Sequence, residues 1–252
     1  MRFVRTRKEG EMDRRSKPGL FARKPGSGFR ISVVLIAILC AVSKLPATPQ
    51  TTLRAPGKSY GVSTAPIKME VYSDYQCPYC RAFYDQTLTQ VIRYYVPSGK
   101  VYLVHHDFPM PMHKYSGEAA RWANACAEVG QFEAAETALY DNQDAWGSDG
   151  DIAKYIAAAM PASDFKRVEA IMKQGAMPAP QAHFPSADPM TGIVHPCPVD
   201  PYIAQDIRLG YKISTPGTPA FVVTYKGHTF APVYFAVSWP VLKQLFDTLL
   251  QQ

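Results

Sequence analysis

The chain is short of several things, and each shortage closes off a class. Charge is scarce: Asp, Glu, Lys and Arg make up 19% of 252 residues against 47% hydrophobic, a balance that excludes wholesale disorder. There are five cysteines, far below the density of a small scaffold held by disulfides. The 22 prolines and 16 glycines follow no fixed period, which excludes collagen and solenoid repeats, and no heptad pattern suggests a coiled coil. No apolar run reaches the roughly 20 residues of a membrane span. Positive charge is missing from the body of the chain as well. Residues 1–30 hold ten Lys/Arg against three Asp/Glu, so the net +6 of the whole leaves −1 on the other 222 residues. A basic nucleic-acid footprint on the domain is therefore absent.

What is present begins with Ile31–Val42, twelve residues apolar except Ser32, with basic residues before it and small residues and Pro46 after it. That is the layout of a secretory signal, with an uncleaved anchor as the alternative, and Met12 offers a second possible start. We place the signal or anchor at 1–43 and a polar, Pro-rich flexible linker at 44–65. The folded domain then spans 66–250. Export leaves the mature chain four cysteines, Cys77, Cys80, Cys126 and Cys197, and an even count in an oxidising compartment favours disulfide chemistry.

Hydrophobic alternation predicts strands at 67–73, 101–107, 220–225 and 229–234. The rhythm of Tyr84, Leu88, Val91 and Tyr95 predicts one helix from Pro78 to Val96. Further helices are expected at 116–129, 132–142, 152–160, 165–173 with Ser163 as its cap, 201–209 and 239–250. Strand, helix, strand, a helical insertion over about 113–211, then two strands and a helix give an α/β protein with a mixed central sheet flanked by helices.

Cys77-Pro78-Tyr79-Cys80 falls where the first strand passes into the first long helix. Free N–H groups and the dipole at that helix start favour an anion, so Cys77 is expected to hold an exposed thiolate with a lowered pKa. Cys80, three residues on, lies on nearly the same face and within disulfide reach. Pro78 fits the first helical position, whose N–H goes unpaired anyway. A zinc site needs a second ligand pair, and only His195 with Cys197 comes near, over a hundred residues away. A bridge across two residues adds little stability through loop closure. Redox chemistry is the remaining reading, because this motif beside a β-α-β unit is a thioredoxin-like signature.

Ser73-Asp74-Tyr75-Gln76-Cys77-Pro78-Tyr79-Cys80, the step His106-Asp107-Phe108-Pro109, the inserted helices and Gly217-Thr218-Pro219-Ala220-Phe221 together resemble the bacterial DsbA-like, thioredoxin-fold thiol:disulfide oxidoreductases. The resemblance spans about residues 66–250. It implies a cis bond before Pro219, a Thr218-Pro219 loop beside Cys77 that pairs with extended substrate, and a site of Cys77, Cys80, Pro78, Tyr79, Thr218 and Pro219. Read without it, Thr218-Pro219 is an ordinary turn before a strand.

The resemblance further implies no organic cofactor and no metal. Its expected substrates are unfolded or newly exported proteins with free thiols, and its expected reoxidant is a quinone-linked membrane protein, DsbB-like or vitamin K epoxide reductase-like. It places the protein in the periplasm or otherwise outside the cytoplasm. Some relatives join positions like Cys126 and Cys197 by a structural disulfide, worth about 4 kcal/mol for a loop of roughly 70 residues in the chain-entropy model.

Two positions depart from the family pattern. Tyr79 stands where strongly oxidising relatives carry histidine, and Val71 stands where many members bury a proton-handling carboxylate. The six histidines (His105, His106, His113, His183, His195, His228) read as structural. The rivals to an oxidase are a reductase or isomerase using the same cysteines and, in another class, a non-catalytic thiol-bearing chaperone or metallochaperone.

Overall fold

Strands β2 (Ile67–Ser73) and β3 (Val101–Asp107) run parallel at the middle of the sheet, with Ile67 opposite Val101 and Ser73 opposite Asp107. Their inward residues explain the pairing: Ile67, Met69, Val71, Val101 and Leu103 are almost fully buried, and each such side chain contributes about 1.5–3 kcal/mol relative to exposure. The computed structural model describes residues 57–174 and 200–252. The expected signal segment, most of the linker, Cys197, His183 and His195 lie outside the described residues.

The sheet order is β1 (Ser59–Tyr60), β3, β2, β4 (Ala220–Tyr225), β5 (His228–Thr229). Strand β4 (Ala220–Tyr225) lies antiparallel to β2. The expected strand over 229–234 divides into β5 (His228–Thr229) and β6 (Val233–Tyr234), which both pair with β4. Pro232 between them has no N–H to give a ladder, so the strand cannot continue through it.

The expected linker at 44–65 is corrected at its end. Ser59–Tyr60 forms β1, antiparallel to β3, with His105 N–H donating to the Lys58 carbonyl at 3.0 Å. A two-residue strand gives no periodicity to read, and what holds it is the buried Lys58 side chain described below.

Helix α1 follows β2 as Pro78–Phe83, a π-helical stretch Tyr84–Leu88, and Thr89–Tyr94. Between β3 and β4 lie the helices of the insertion: α2 (Ser116–Glu128), α3 (Phe132–Asp141), α4 (Gln143–Asp149), α5 (Ile152–Ala158), α6 (Ala162–Lys173) and α7 (Asp200–Lys212). Helix α8 (Trp239–Leu250) closes the chain. This is the mixed sheet with a helical insertion that the resemblance implies.

Two helix details differ from the sequence reading. Helix α4 was not expected; it buries Trp146 completely and ends at Gly150, whose φ of 80° suits glycine. Helix α6 starts at Ala162 rather than behind Ser163, with the Pro161 carbonyl receiving the N–H groups of Asp164 and Phe165. No helix among the described residues is long and apolar enough to cross a membrane.

One face of the sheet carries the main core, which includes Phe83, Val91, Ala123, Leu139, Trp146 and Phe246. The other carries a smaller cluster in which Ile207, Leu209 and Ile213 pack on Tyr72, Phe108, Ala220 and Val222. Arg121 of α2 and Asp200 of α7 make a buried bidentate pair, Nε to Oδ1 at 2.7 Å and Nη2 to Oδ2 at 2.6 Å. That geometry is among the strongest available to side chains, and it fixes the start of α7 against α2.

Candidate active site

Cys77 occupies the cap position of α1, in extended conformation (φ −77°, ψ 122°), and its carbonyl receives the N–H groups of Cys80 and Arg81 at 3.1 Å each. Pro78 is the first helical residue, as its missing N–H allows. The strand-to-helix step is held from the insertion: Gln143 Nε2, at the start of α4, donates to the carbonyls of Tyr75 at 2.6 Å and Cys77 at 3.0 Å.

The two sulfurs are pushed in opposite directions. The Cys77 pKa is lowered to about 6, first by the Cys80 thiol, against the opposing effect of burial, and then by the backbone N–H of Cys80, by Thr218 and by the backbone N–H of Tyr79. The helix start therefore acts through individual N–H groups and ranks behind the neighbouring thiol. Burial raises the Cys80 pKa well above the ordinary thiol value, and the charges of Cys77 and Asp74 add to it. Both thiols are free. The expected exposure is not found, since Cys77 keeps 4% of its surface and Cys80 1%. Tyr79, by contrast, is 72% exposed and flanks the pair as an aromatic ring turned to solvent.

The Thr218-Pro219 peptide bond is cis, and the Thr218 carbonyl oxygen lies 3.6 Å from Cys77 Sγ. The Thr218 hydroxyl is buried and makes no hydrogen bond, and Thr218 contributes to the lowered Cys77 pKa. Pro78, Tyr79, Thr218 and Pro219 thus lie with Cys77 and Cys80 in one place, joining chain segments about 140 residues apart. Cys126 is elsewhere, in the core face of α2; burial pushes its thiol up to about 12, so it is inert as a nucleophile. Its proposed partner Cys197 lies outside the described residues.

Several residues at this site were not singled out from the sequence. Asp74, 1% exposed, receives four donors: Gln76 N–H and Met110 N–H at 2.8 Å, His113 Nδ1 at 2.7 Å, and the Ser116 hydroxyl. Its own N–H lies 3.5 Å from Cys80 Sγ. The Ser73 and Tyr140 hydroxyls bond at 2.7 Å close to the same sulfur. His113, read as structural, is instead part of the site's surroundings. Asp74 sits inside the resemblance motif, which was the one available signal. At Val71, where a carboxylate is usual, a small cavity is lined by Tyr60, Tyr84, His105 and Glu136, so a carboxylate does reach this space, from α3.

Residues 55–188, more than half of the chain, match the family described as Thioredoxin. Among solved structures, the chain is similar to α-DsbA1 of Wolbachia pipientis, with 18% identity and a TM-score of 0.57 over 76% of this chain and 89% of that one. It is similar to a thioredoxin-like oxidoreductase of Silicibacter pomeroyi DSS-3, with 23% identity and a TM-score of 0.50 over 77% and 92%. The catalytic domain of Proteus mirabilis ScsC matches at 16% identity and a TM-score of 0.50 over 79% and 92%. At these identities the likeness is one of fold. No curated protein matches the sequence. The chain belongs to the thioredoxin family and carries the DsbA-like form of its fold.

Proposed function

We propose that the protein is an exported thiol:disulfide oxidoreductase that introduces disulfides into newly translocated proteins. The observation that carries this reading is the opposed pair of sulfurs, one with a pKa lowered to about 6 and its neighbour raised, placed against the Thr218 carbonyl.

In the oxidised enzyme, a substrate thiolate attacks Cys77 Sγ. The Cys77–Cys80 bond breaks, and Cys80 leaves with the electron pair and takes up a proton, which its raised pKa favours. A second substrate thiolate then attacks the substrate sulfur of the mixed disulfide. The substrate disulfide forms, two electrons stay on the enzyme, and Cys77 departs as a stable thiolate. A stabilised Cys77 thiolate favours the reduced enzyme and so makes the disulfide form an oxidant. An extended substrate segment pairs with the backbone at Thr218-Pro219, and exposed Tyr79 offers it an apolar contact.

Neither an organic cofactor nor a metal takes part in this reaction. Turnover needs a reoxidant, for which we propose a quinone-linked membrane protein of the DsbB-like or vitamin K epoxide reductase-like kind. The basic and apolar N-terminal pattern supports placement outside the cytoplasm. Equilibrating the protein with glutathione tests the direction of the reaction: an oxidase has a potential above about −180 mV, whereas a value near or below about −230 mV assigns a reductase. Titrating the reduced protein with Cu(I) or Zn(II) tests the metallochaperone alternative, which requires tight stoichiometric binding.

A further inference from the structure

Between the two sulfurs and the loop that follows β3 lies an ion pair for which the exchange reaction described above has no use. Asp74 is the last residue before the turn into the motif. Its carbonyl receives Cys77 N–H at 3.1 Å, and its own N–H lies 3.5 Å from Cys80 Sγ, so its backbone is fixed to both cysteines. Its carboxylate is fixed to the other side: Oδ2 receives Met110 N–H and His113 Nδ1, and Oδ1 receives Gln76 N–H and the Ser116 hydroxyl. The His113 side chain reaches solvent, 22% exposed against 0% for Asp74.

We propose that Asp74 and His113 select which sulfur carries the negative charge, the fixed carboxylate opposing an anion on Cys80 while the imidazolium held beside it supports one on Cys77. This deepens the function proposed above and rests on it. The charges agree with the geometry. Asp74 contributes to raising the Cys80 pKa. The hydrogen bond to Asp74 is the main cause of the raised His113 pKa, and the Cys77 charge adds to it. The interaction of two charges is mutual, so an imidazolium at His113 also favours the anion on Cys77, a smaller effect than those of the Cys80 thiol, Thr218 and the backbone N–H groups of Cys80 and Tyr79.

The other charged and titratable groups nearby are few. Cys80 also faces Cys77, Ser73 and the buried Tyr140 hydroxyl. Arg81 is paired with Asp144 at 2.8 Å on the exposed side of the helix. The Lys114 ammonium is turned to the Tyr115 hydroxyl at 2.7 Å. His113 is thus a positioning residue whose proton sets the reactivity of a neighbour. Below its pKa it supports the Cys77 thiolate, and as pH rises past that value the support fades.

The test is the pH profile of Cys77 alkylation in the reduced full-length protein, with iodoacetamide as probe and peptide mapping to separate Cys77 from the other cysteines. His113→Gln keeps a donor for Asp74 but no charge. It is expected to slow alkylation of Cys77 at pH 6 by about two- to fivefold, a rise of half to one unit in its midpoint. His113→Lys keeps the charge and is expected to restore the original midpoint. Asp74→Asn is expected to increase the share of label on Cys80; should that variant fail to fold, the two His113 variants decide. A His113→Gln profile that overlays the parent overturns the proposal, as does a His113→Lys variant that shifts as far as His113→Gln. A parent protein whose Cys77 titrates near pH 8.5 instead overturns the oxidoreductase reading itself, so the two failures are distinguishable.

Discussion

Two buried polar clusters lie near the same end of the parallel strands β2 and β3, and they differ in what their ion pairs face. In the first, Lys58 lies between Asp107 and Asp206, the latter at 2.7 Å, and Asp206 also accepts from His106 Nδ1 at 2.6 Å, whose Nε2 lies 3.2 Å from Glu70. Every charge there faces an opposite one. In the second, around Cys77 and Cys80, a carboxylate stands near a buried thiol and raises its pKa while the neighbouring sulfur is lowered. The first set of pairs holds the fold in one arrangement. In the second, the Asp74–His113 pair lies beside two sulfurs and bears on how readily each ionises.

The contrast is broken most severely by Cys77→Ser. It is expected to reduce disulfide exchange with a model dithiol peptide by at least about three orders of magnitude, since the attacked sulfur is gone, and to leave thermal stability nearly unchanged. The reverse is expected in the paired cluster. Lys58→Met leaves Asp107 and Asp206 buried without their cation, a loss of about 3–5 kcal/mol that lowers the melting temperature by roughly 10 °C. The Cys77 alkylation profile of the surviving folded protein stays as it was. A melting temperature within about 2 °C of the parent would show that the cluster contributes little.

A pH series sharpens the same contrast without mutation. Burial opposes ionisation of Glu70, but hydrogen bonds from His106 and Lys68 hold its pKa at about 2. A depressed carboxylate stabilises the fold above its unfolded value, and this stability is lost as pH falls from about 4.5 toward 2. His105 is the opposite case. Burial alone would lower its pKa, yet Asp107 and Glu136 raise it to about 9. Its stabilising effect is complete below about 6.5 and is lost as pH rises toward 9. Melting temperatures measured from pH 2 to 10 are therefore expected to fall at both ends, while Cys77 reactivity changes near pH 6. The smallest effect is expected from Arg81→Ala. It removes a solvent-exposed pair with Asp144, worth less than about 1 kcal/mol by denaturant titration.

The sequence disclosed these two regions unequally. Strands β2, β3 and β4 and helix α8 have the bounds that apolar periodicity predicts, because their burial follows from local pattern alone. The Cys77-to-Cys80 motif was legible for the same reason: a strand end, a proline and a helix start are adjacent in the chain. Lys58 was not legible, since its partners are 49 and 148 residues away and nothing in a polar, Pro-rich stretch marks a lysine that turns inward. Glu136 and His113 were missed on similar grounds. Each reaches its place through helix packing or a loop path that residue spacing does not encode. The cis bond at Thr218-Pro219 came from the family resemblance, as no local pattern specifies it.

Phe108 follows β3 directly, and its ring lies so close to Gly210 on α7 that a methyl group there would come within 2.5 Å of it. The segment from Phe108 leads on to Met110 and His113, both bonded to Asp74. A side chain at Gly210 would therefore press on Phe108 and, through the segment that follows it, on the residues that hold Asp74 beside the two cysteines. Enlarging that one residue would act as a wedge, displacing the imidazole from outside and leaving every group around the sulfurs chemically intact.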